Sequence, residues 1–295
     1  MFKKILLAAT PQIDAEAAPE TAFEFARKND AELILYHALP IGKNAWCTFD
    51  DVVSEERLIE AARCKISETY ADRLEGIRHS VRVVTEPSHE KLLKIIHTEG
   101  VDLVVMGHHT GGTPRTDRMW GMVDTSIRRV CSNIFSPVLV VTQPTPALPE
   151  LKRILMATDF STPSDSALCY AVQLARHTGA HLDVFHVLDI GSRCPDPKYY
   201  MQDMNIFIEE AKERMAKRYA KPLRDIDHSY ECWEGVPYTE ILKRARWSGA
   251  DAVVMAQYSS SQEPATASVG STVIQVALSP GCPVLIVNYR ARVCM

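Results

Sequence analysis

Short apolar runs alternate along this chain with longer stretches in which apolar residues recur every three or four positions. In the first half, runs at residues 5–9, 32–37, 81–84, 101–106 and 138–141 predict strands. Between them, residues 15–26, 53–74, 89–97 and 125–131 carry helical spacing, clearest in Leu58, Ala62, Ile66 and Tyr70 and in Leu92, Leu93 and Ile96. The second half reads the same way from Ile154 to Val287. Strands that are apolar throughout, each followed by a helix, predict a parallel sheet covered on both faces with right-handed crossovers. The fold class is therefore α/β, as two doubly wound five-stranded units. Such sheets open their ligand crevice beyond the carboxyl ends of the strands, near the switch in strand order.

The two halves are copies of each other. "KKILLAATPQ" matches "LKRILMATDFS", "AELILYHALP" matches "AHLDVFHVLD", and "GVDLVVMGHH" matches "GADAVVMAQY", all at an offset of 149 residues. Both halves end alike, in "SPVLVVT" and "CPVLIVN", where the offset falls to 146. "TQPTPALPE" lies between the copies, and its three prolines disfavour helix and sheet alike. This places one unit at residues 1–143, a linker at 144–150 and a second unit at 151–295. Each copy is expected to keep its own crevice, and a single undivided sheet would count against the duplication.

Composition narrows the reading. A chain of 295 residues suits two units better than one core. Net charge is −4 with no long basic run, which argues against a nucleic-acid partner held by phosphate neutralisation. The eight cysteines are scattered with no Cys-x-x-Cys pair, the pattern of reduced thiols in a cytoplasmic protein. The opening "MFKKILLAAT" is too short in its apolar part for an export signal. No apolar stretch approaches the ~20 residues that span a bilayer, so no membrane partner is expected.

The chemistry gathers in "VVMGHHTGGTPRTDRMWG", where the fourth strand runs into glycines, histidines and arginines. Taken with the second copy's "VVMA" and the "PVLVV" and "PVLIV" endings, this frame resembles the universal stress protein family, in a tandem two-copy arrangement that covers nearly the whole chain. The resemblance implies Rossmann-like units, a cytoplasmic stress-response role, pairing of the two copies through their final strands, and either adenine-nucleotide binding or none. In the binding class a Gly-x2-Gly-x9-Gly-Ser/Thr loop after strand four holds the phosphates. An Asp at the end of strand one contacts the nucleoside, and the end of strand two helps to wall the adenine. The pattern has a direct physical basis. Glycines admit backbone N–H groups close to phosphate oxygens, and the helix that follows directs its positive dipole end at the anion.

Neither copy spells that pattern in full. The first keeps Gly107, then Thr110 and Gly111, but Thr10 replaces the strand-one Asp. Counting forward from Gly111 reaches Gly121-Met122; counting back from Pro137 puts Asp124-Thr125 at the Gly-Ser position. The second count is preferred, because helices tolerate insertions less well than loops. Ala38 ends its second strand, and His108, His109, Arg115 and Arg118 offer positive charge. The second copy keeps Asp159, Val187, Gly270 and Ser271, while Ala256 replaces the first glycine and Ser259-Ser260-Ser261 the second. Its loop holds Glu263 and neither Lys nor Arg. The expected second-copy site is thus Asp159, Val187, Ala256, Ser259, Ser260, Gly270 and Ser271. A weaker first-copy site would comprise Thr10, Ala38, Gly107, Thr110, Gly111 and Thr125.

The remaining constellations point elsewhere. His37 and His186 hold equivalent strand positions and are expected to pack on the sheet rather than ligate metal. His108-His109 is too small a set for a metal centre. Ser161 or Thr162 with Pro163 spells a helix start. No Gly-x4-Gly-Lys-Ser/Thr and no Gly-x-Ser-x-Gly occurs, so efficient ATP turnover is not expected and no catalytic residue is assigned; slow hydrolysis stays open. Tyr200, Met204, Phe207, Ala211 and Met215 share a helical face expected to pack into the core. The function expected is an adenine-nucleotide-responsive module binding ATP or AMP, with or without Mg²⁺. The alternative is an interaction or scaffold protein of the same fold without a ligand. A homodimer and a further protein partner are compatible with either.

Overall fold

Val104, Val105, Val140, Val253, Val254 and their strand neighbours are closed off on both sides of the chain, so their strands lie inside a three-layer structure. The computed structural model describes residues 1–9, 17–39, 55–85, 89–107, 121–142, 151–189, 200–258, 269–279 and 281–288. The first copy runs β1 (Lys4–Ala8), α1 (Ala17–Asn29), β2 (Glu32–Ala38), α2 (Glu55–Thr69), α3 (Ala71–Leu74), β3 (His79–Val84), α4 (His89–Glu99), β4 (Leu103–Gly107), α5 (Gly121–Asn133) and β5 (Val138–Val141). The second runs β6 (Arg153–Thr158), α6 (Thr162–Thr178), β7 (His181–Asp189), α7 (Tyr200–Tyr219), β8 (His228–Gly235), α8 (Pro237–Ser248), β9 (Ala252–Ala256), α9 (Ser271–Leu278) and β10 (Val284–Val287).

The strands pair in the order β3-β2-β1-β4-β5-β10-β9-β6-β7-β8. Each copy contributes the same parallel order, first strand in the middle, and the copies meet at β5 and β10 as expected. That pair is antiparallel, with Val140 opposite Val284, Leu139 opposite Leu285 and Val138 opposite Ile286. None of these six side chains is more than 3% exposed, and each such burial contributes about 1.5–3 kcal/mol. The result corrects the expectation that an unbroken sheet would speak against duplication. Two apolar edge strands with free N–H and C=O groups satisfy each other by pairing, so the ladder is continuous while direction and order still divide it into copies.

Alternate strand residues feed two cores. Ile5, Leu7, Leu33 and Leu35 face α1, α2, α6 and α7, while Leu6, Ile34, Val104 and Val253 face α4, α5, α8 and α9. Both core layers contain residues of both copies. The same small devices recur at the 149-residue offset. The Asp102 carboxylate accepts from the backbone N–H groups of Lys3 and Lys4, and Asp251 accepts from those of Lys152 and Arg153. These bonds tie the starting ends of the central strands, opposite the crevice ends.

Two local expectations change. The single helix expected at residues 53–74 is two, because Tyr70 leaves helical dihedrals (φ −111°, ψ 9°) while its ring packs edge-on against Phe23 at 5.4 Å. The apolar stripe of α7 is only partly core: Ala211 and Met215 are buried, Met204 is half-buried, and Phe207 is 47% exposed. The side chain of Tyr200 lies outside the described residues.

Candidate functional site

The crevice of the second copy lies where β6 and β9, neighbours in the sheet, send their chains to opposite faces, β6 into α6 and β9 toward α9. A cavity of about 520 Å³ opens there, within the size range of small-molecule sites. Phe185, Val187, Ile241 and Met255 give it an apolar interior, and Pro237 closes one side at the start of α8. Thr158, Asp159, Ser164, His186 and Asp189 bring polar groups from β6, α6 and β7. Gly270, Ser271, Thr272 and Val273 bring the beginning of α9.

The turn after β6 is built around Thr158. Its Oγ1 lies 2.6 Å from the Tyr219 hydroxyl and 3.2 Å from Ser164 Oγ, and accepts from the N–H of Phe160 at 3.1 Å. Burial pushes the Tyr219 phenol up, against the lowering effect of its bond to Thr158. Phe160 takes the left-handed backbone conformation (φ 62°), unusual for a residue with a Cβ. Its ring lies 4.5 Å from the His186 ring on one contact and has the Arg214 guanidinium 4.1 Å away on another. Asp159 is thereby held at the crevice mouth, exposed, with Oδ1 accepting from the N–H of Ser161 at 3.0 Å. Ser161 caps α6 by accepting from the N–H of Ser164, and Pro163 sits in the first turn, as its sequence predicts. A carbonyl only accepts, so the 2.8 Å contact of His186 Nδ1 with Thr158 O places the proton on Nδ1.

The start of α9 supplies the other pole. Gly270 is its N-cap and offers no side-chain oxygen to the first-turn N–H groups. The first N–H groups of a helix lack intrahelical partners and carry the positive end of its dipole, and here they border the cavity. Gly270 has φ −61°, and a Cβ added to it would meet nothing nearer than 3.8 Å. Its backbone therefore does not demand glycine; what the missing side chain provides is room in front of the helix.

Five of the seven residues expected in this site, Asp159, Val187, Ala256, Gly270 and Ser271, line the one cavity. Ser259 and Ser260 lie outside the described residues. In the first copy Ala38 ends β2 and Gly107 ends β4, both at the carboxyl edge of the sheet. Thr10, Thr110 and Gly111 lie outside the described residues, as do His108 and His109. Thr125 falls within α5, so the backward count meets the helix in its first turn or two. Sequence reasoning missed Pro237, Ile241, Asp189 and Tyr258 as cavity residues. Pro237 was legible as a helix-start proline; the others come from elements whose proximity follows from strand order and not from any local motif.

The Universal stress protein family matches the chain twice, over residues 1–142 and 150–288. A universal stress protein from Archaeoglobus fulgidus is 20% identical, with 96% of each chain covered and a TM-score of 0.65. A functionally unknown protein from Pseudomonas aeruginosa PAO1 is 17% identical, covering 99% of this chain and 95% of its own, with a TM-score of 0.64. These likenesses support the fold. No curated protein matches the chain.

Proposed function

Because the chain belongs to the universal stress protein family, we propose that it is a regulatory binding module whose second copy takes an adenine nucleotide. The observation that carries this reading is the meeting of Asp159, Val187, Ala256, Gly270 and Ser271 on one cavity of about 520 Å³ at the start of α9. The apolar interior around Val187, Phe185 and Met255 suits a purine ring. Asp159 at the mouth suits ribose hydroxyls, which donate to a carboxylate. The open N–H groups of α9 and the hydroxyls of Ser271 and Thr272 suit phosphate oxygens. ATP and AMP both meet these requirements, and Mg²⁺ would accompany the polyphosphate. Each copy, residues 1–143 and 151–295, is taken as one binding unit, with the first the weaker.

The output proposed for such a module is a shift of population. Ligand in the second crevice, seated against the start of α9, changes a surface that a protein partner reads. Such a module serves a stress response in the cytoplasm, alone or as a homodimer, and needs neither nucleic acid nor membrane; no described helix is long and apolar enough to cross one.

The test is direct. Denatured purified protein is assayed for carried ATP or AMP by mass spectrometry, and native protein is heated with and without millimolar ATP and Mg²⁺. A ligand present at a hundredfold excess over its Kd adds about 2.7 kcal/mol to stability, an easily seen rise in melting temperature. No carried nucleotide together with no shift would replace this reading by that of a ligand-free scaffold.

A further inference from the structure

The rim of the second crevice is held from the other copy. Arg128 on α5 reaches across the seam, and its Nη1 donates to the carbonyl oxygen of Val269 at 2.9 Å. Val269 is buried and immediately precedes Gly270, the N-cap of α9. The other end of the same peptide unit is also fixed, because the Gly270 N–H donates to Gln257 O at 2.9 Å. The peptide joining residues 269 and 270 is therefore pinned at its oxygen by the first copy and at its nitrogen by the end of β9. Turning it over would break both bonds and set its carbonyl oxygen against Gln257 O, so the two bonds fix the backbone from which α9 starts.

We infer that Arg128 is a positioning residue for the phosphate-binding end of the second crevice, so that this site is complete only when the first copy is present. The inference rests on the nucleotide reading above. The contact runs one way. At the 146-residue offset of the closing blocks, the position of Arg128 on α5 corresponds to Ile274 on α9, which has no side-chain donor. The copy that receives the brace is the copy that keeps Gly270 and Ser271. A second bond across the seam, from Asn288 Nδ2 to Ile134 O at 2.9 Å, fixes the end of α5 against the strand edge beside this rim. Arg128 is thus carried on a helix whose far end is anchored to the copy it braces.

The full chain, Arg128→Ala and Arg128→Lys are titrated calorimetrically with ATP plus Mg²⁺ and with adenosine, and amide exchange at Gly270 is followed without ligand. Freeing the peptide that Arg128 holds predicts roughly tenfold weaker ATP binding in Arg128→Ala, with adenosine affinity unchanged and Gly270 exchange faster. Arg128→Lys recovers part of the ATP affinity. Unchanged ATP affinity or unchanged Gly270 exchange in Arg128→Ala overturns the inference, as does equal weakening of ATP and adenosine. A full chain that takes up neither ligand removes the nucleotide reading itself, and this inference with it.

Discussion

His37 and His186 make one contact twice. Each stands near the end of its copy's second strand, buried, with Nδ1 against the carbonyl at the end of the first strand: Ala9 O at 2.9 Å and Thr158 O at 2.8 Å. Both histidines therefore serve the sheet, as their sequence positions imply, and His186 also borders the cavity.

Protonation of His37 is disfavoured in the folded chain. Burial, the larger cause, pushes its pKa below the ordinary 6.5, and the bond to Ala9 opposes this. The unfolded chain then takes up the proton more readily. The contribution of His37 to stability is fully present above pH 6.5 and is lost as pH falls through its folded value. Proton NMR of the imidazole should give a midpoint below 6.5, and a midpoint above it would contradict the burial argument. His37→Gln should flatten this part of the stability profile between pH 7 and pH 5.

Asp183 and Arg244 form a buried ion pair at 2.7 Å beneath the second copy's outer strands, 0% and 7% exposed at their side chains. Ser229 Oγ donates to the other Asp183 oxygen, and the guanidinium lies 5.6 Å from the Trp233 ring and 4.9 Å from that of Trp247. Removing one partner leaves a charge buried and unpaired, so Asp183→Asn or Arg244→Leu should cost about 3–5 kcal/mol. The first copy carries Ile34 and Ile95 at the equivalent positions. The double change Asp183→Ile with Arg244→Ile should therefore recover most of the loss. Urea unfolding of the four proteins tests this; a double variant as weak as the worse single one would refute it.

The alternation of strands and helices and the duplication were legible, because each depends on local periodicity or on comparing one half with the other; the seam followed from the family resemblance alone. Five of the residues expected at the second crevice line its cavity, since they sit at strand ends or at a helix start. Asp183 with Arg244 and Arg128 with Val269 were not. Each pair joins elements distant in sequence, and no period marks a lone buried charge as half of a pair. Tyr70 broke a helix that its spacing predicted to be continuous, because its contact with Phe23 of α1 outweighed local preference.

The thiols divide by burial. Desolvation pushes Cys131 and Cys232 up to about 12 and Cys282 up to about 11. At pH 8 these three stay protonated and poorly nucleophilic. Exposed Cys64 should be alkylated by iodoacetamide well before them in native protein, with all of them reacting in denaturant. Peptide mapping by mass spectrometry reads the order, and early labelling of Cys131 or Cys232 would show that the core opens locally.

Two glycines near the crevice separate a ligand requirement from a folding requirement. Gly235 ends β8 at φ 141°, and a Cβ there would lie 2.7 Å from Cγ of Glu240. Gly235→Ala is strained in backbone and in space, and should cost about 1–3 kcal/mol. Gly270 has neither constraint, so Gly270→Ala should leave stability within about 0.5 kcal/mol of the parent. Gly270→Asp places a carboxylate in front of α9. As an N-cap it satisfies the first-turn N–H groups and should not destabilise the fold, yet it occupies and repels the phosphate position. The expected pattern is a stable Gly270→Asp protein with no ATP-induced rise in melting temperature beside a Gly270→Ala protein that retains it. If both variants keep the full shift, the nucleotide is held away from the start of α9, and the second crevice is not its site.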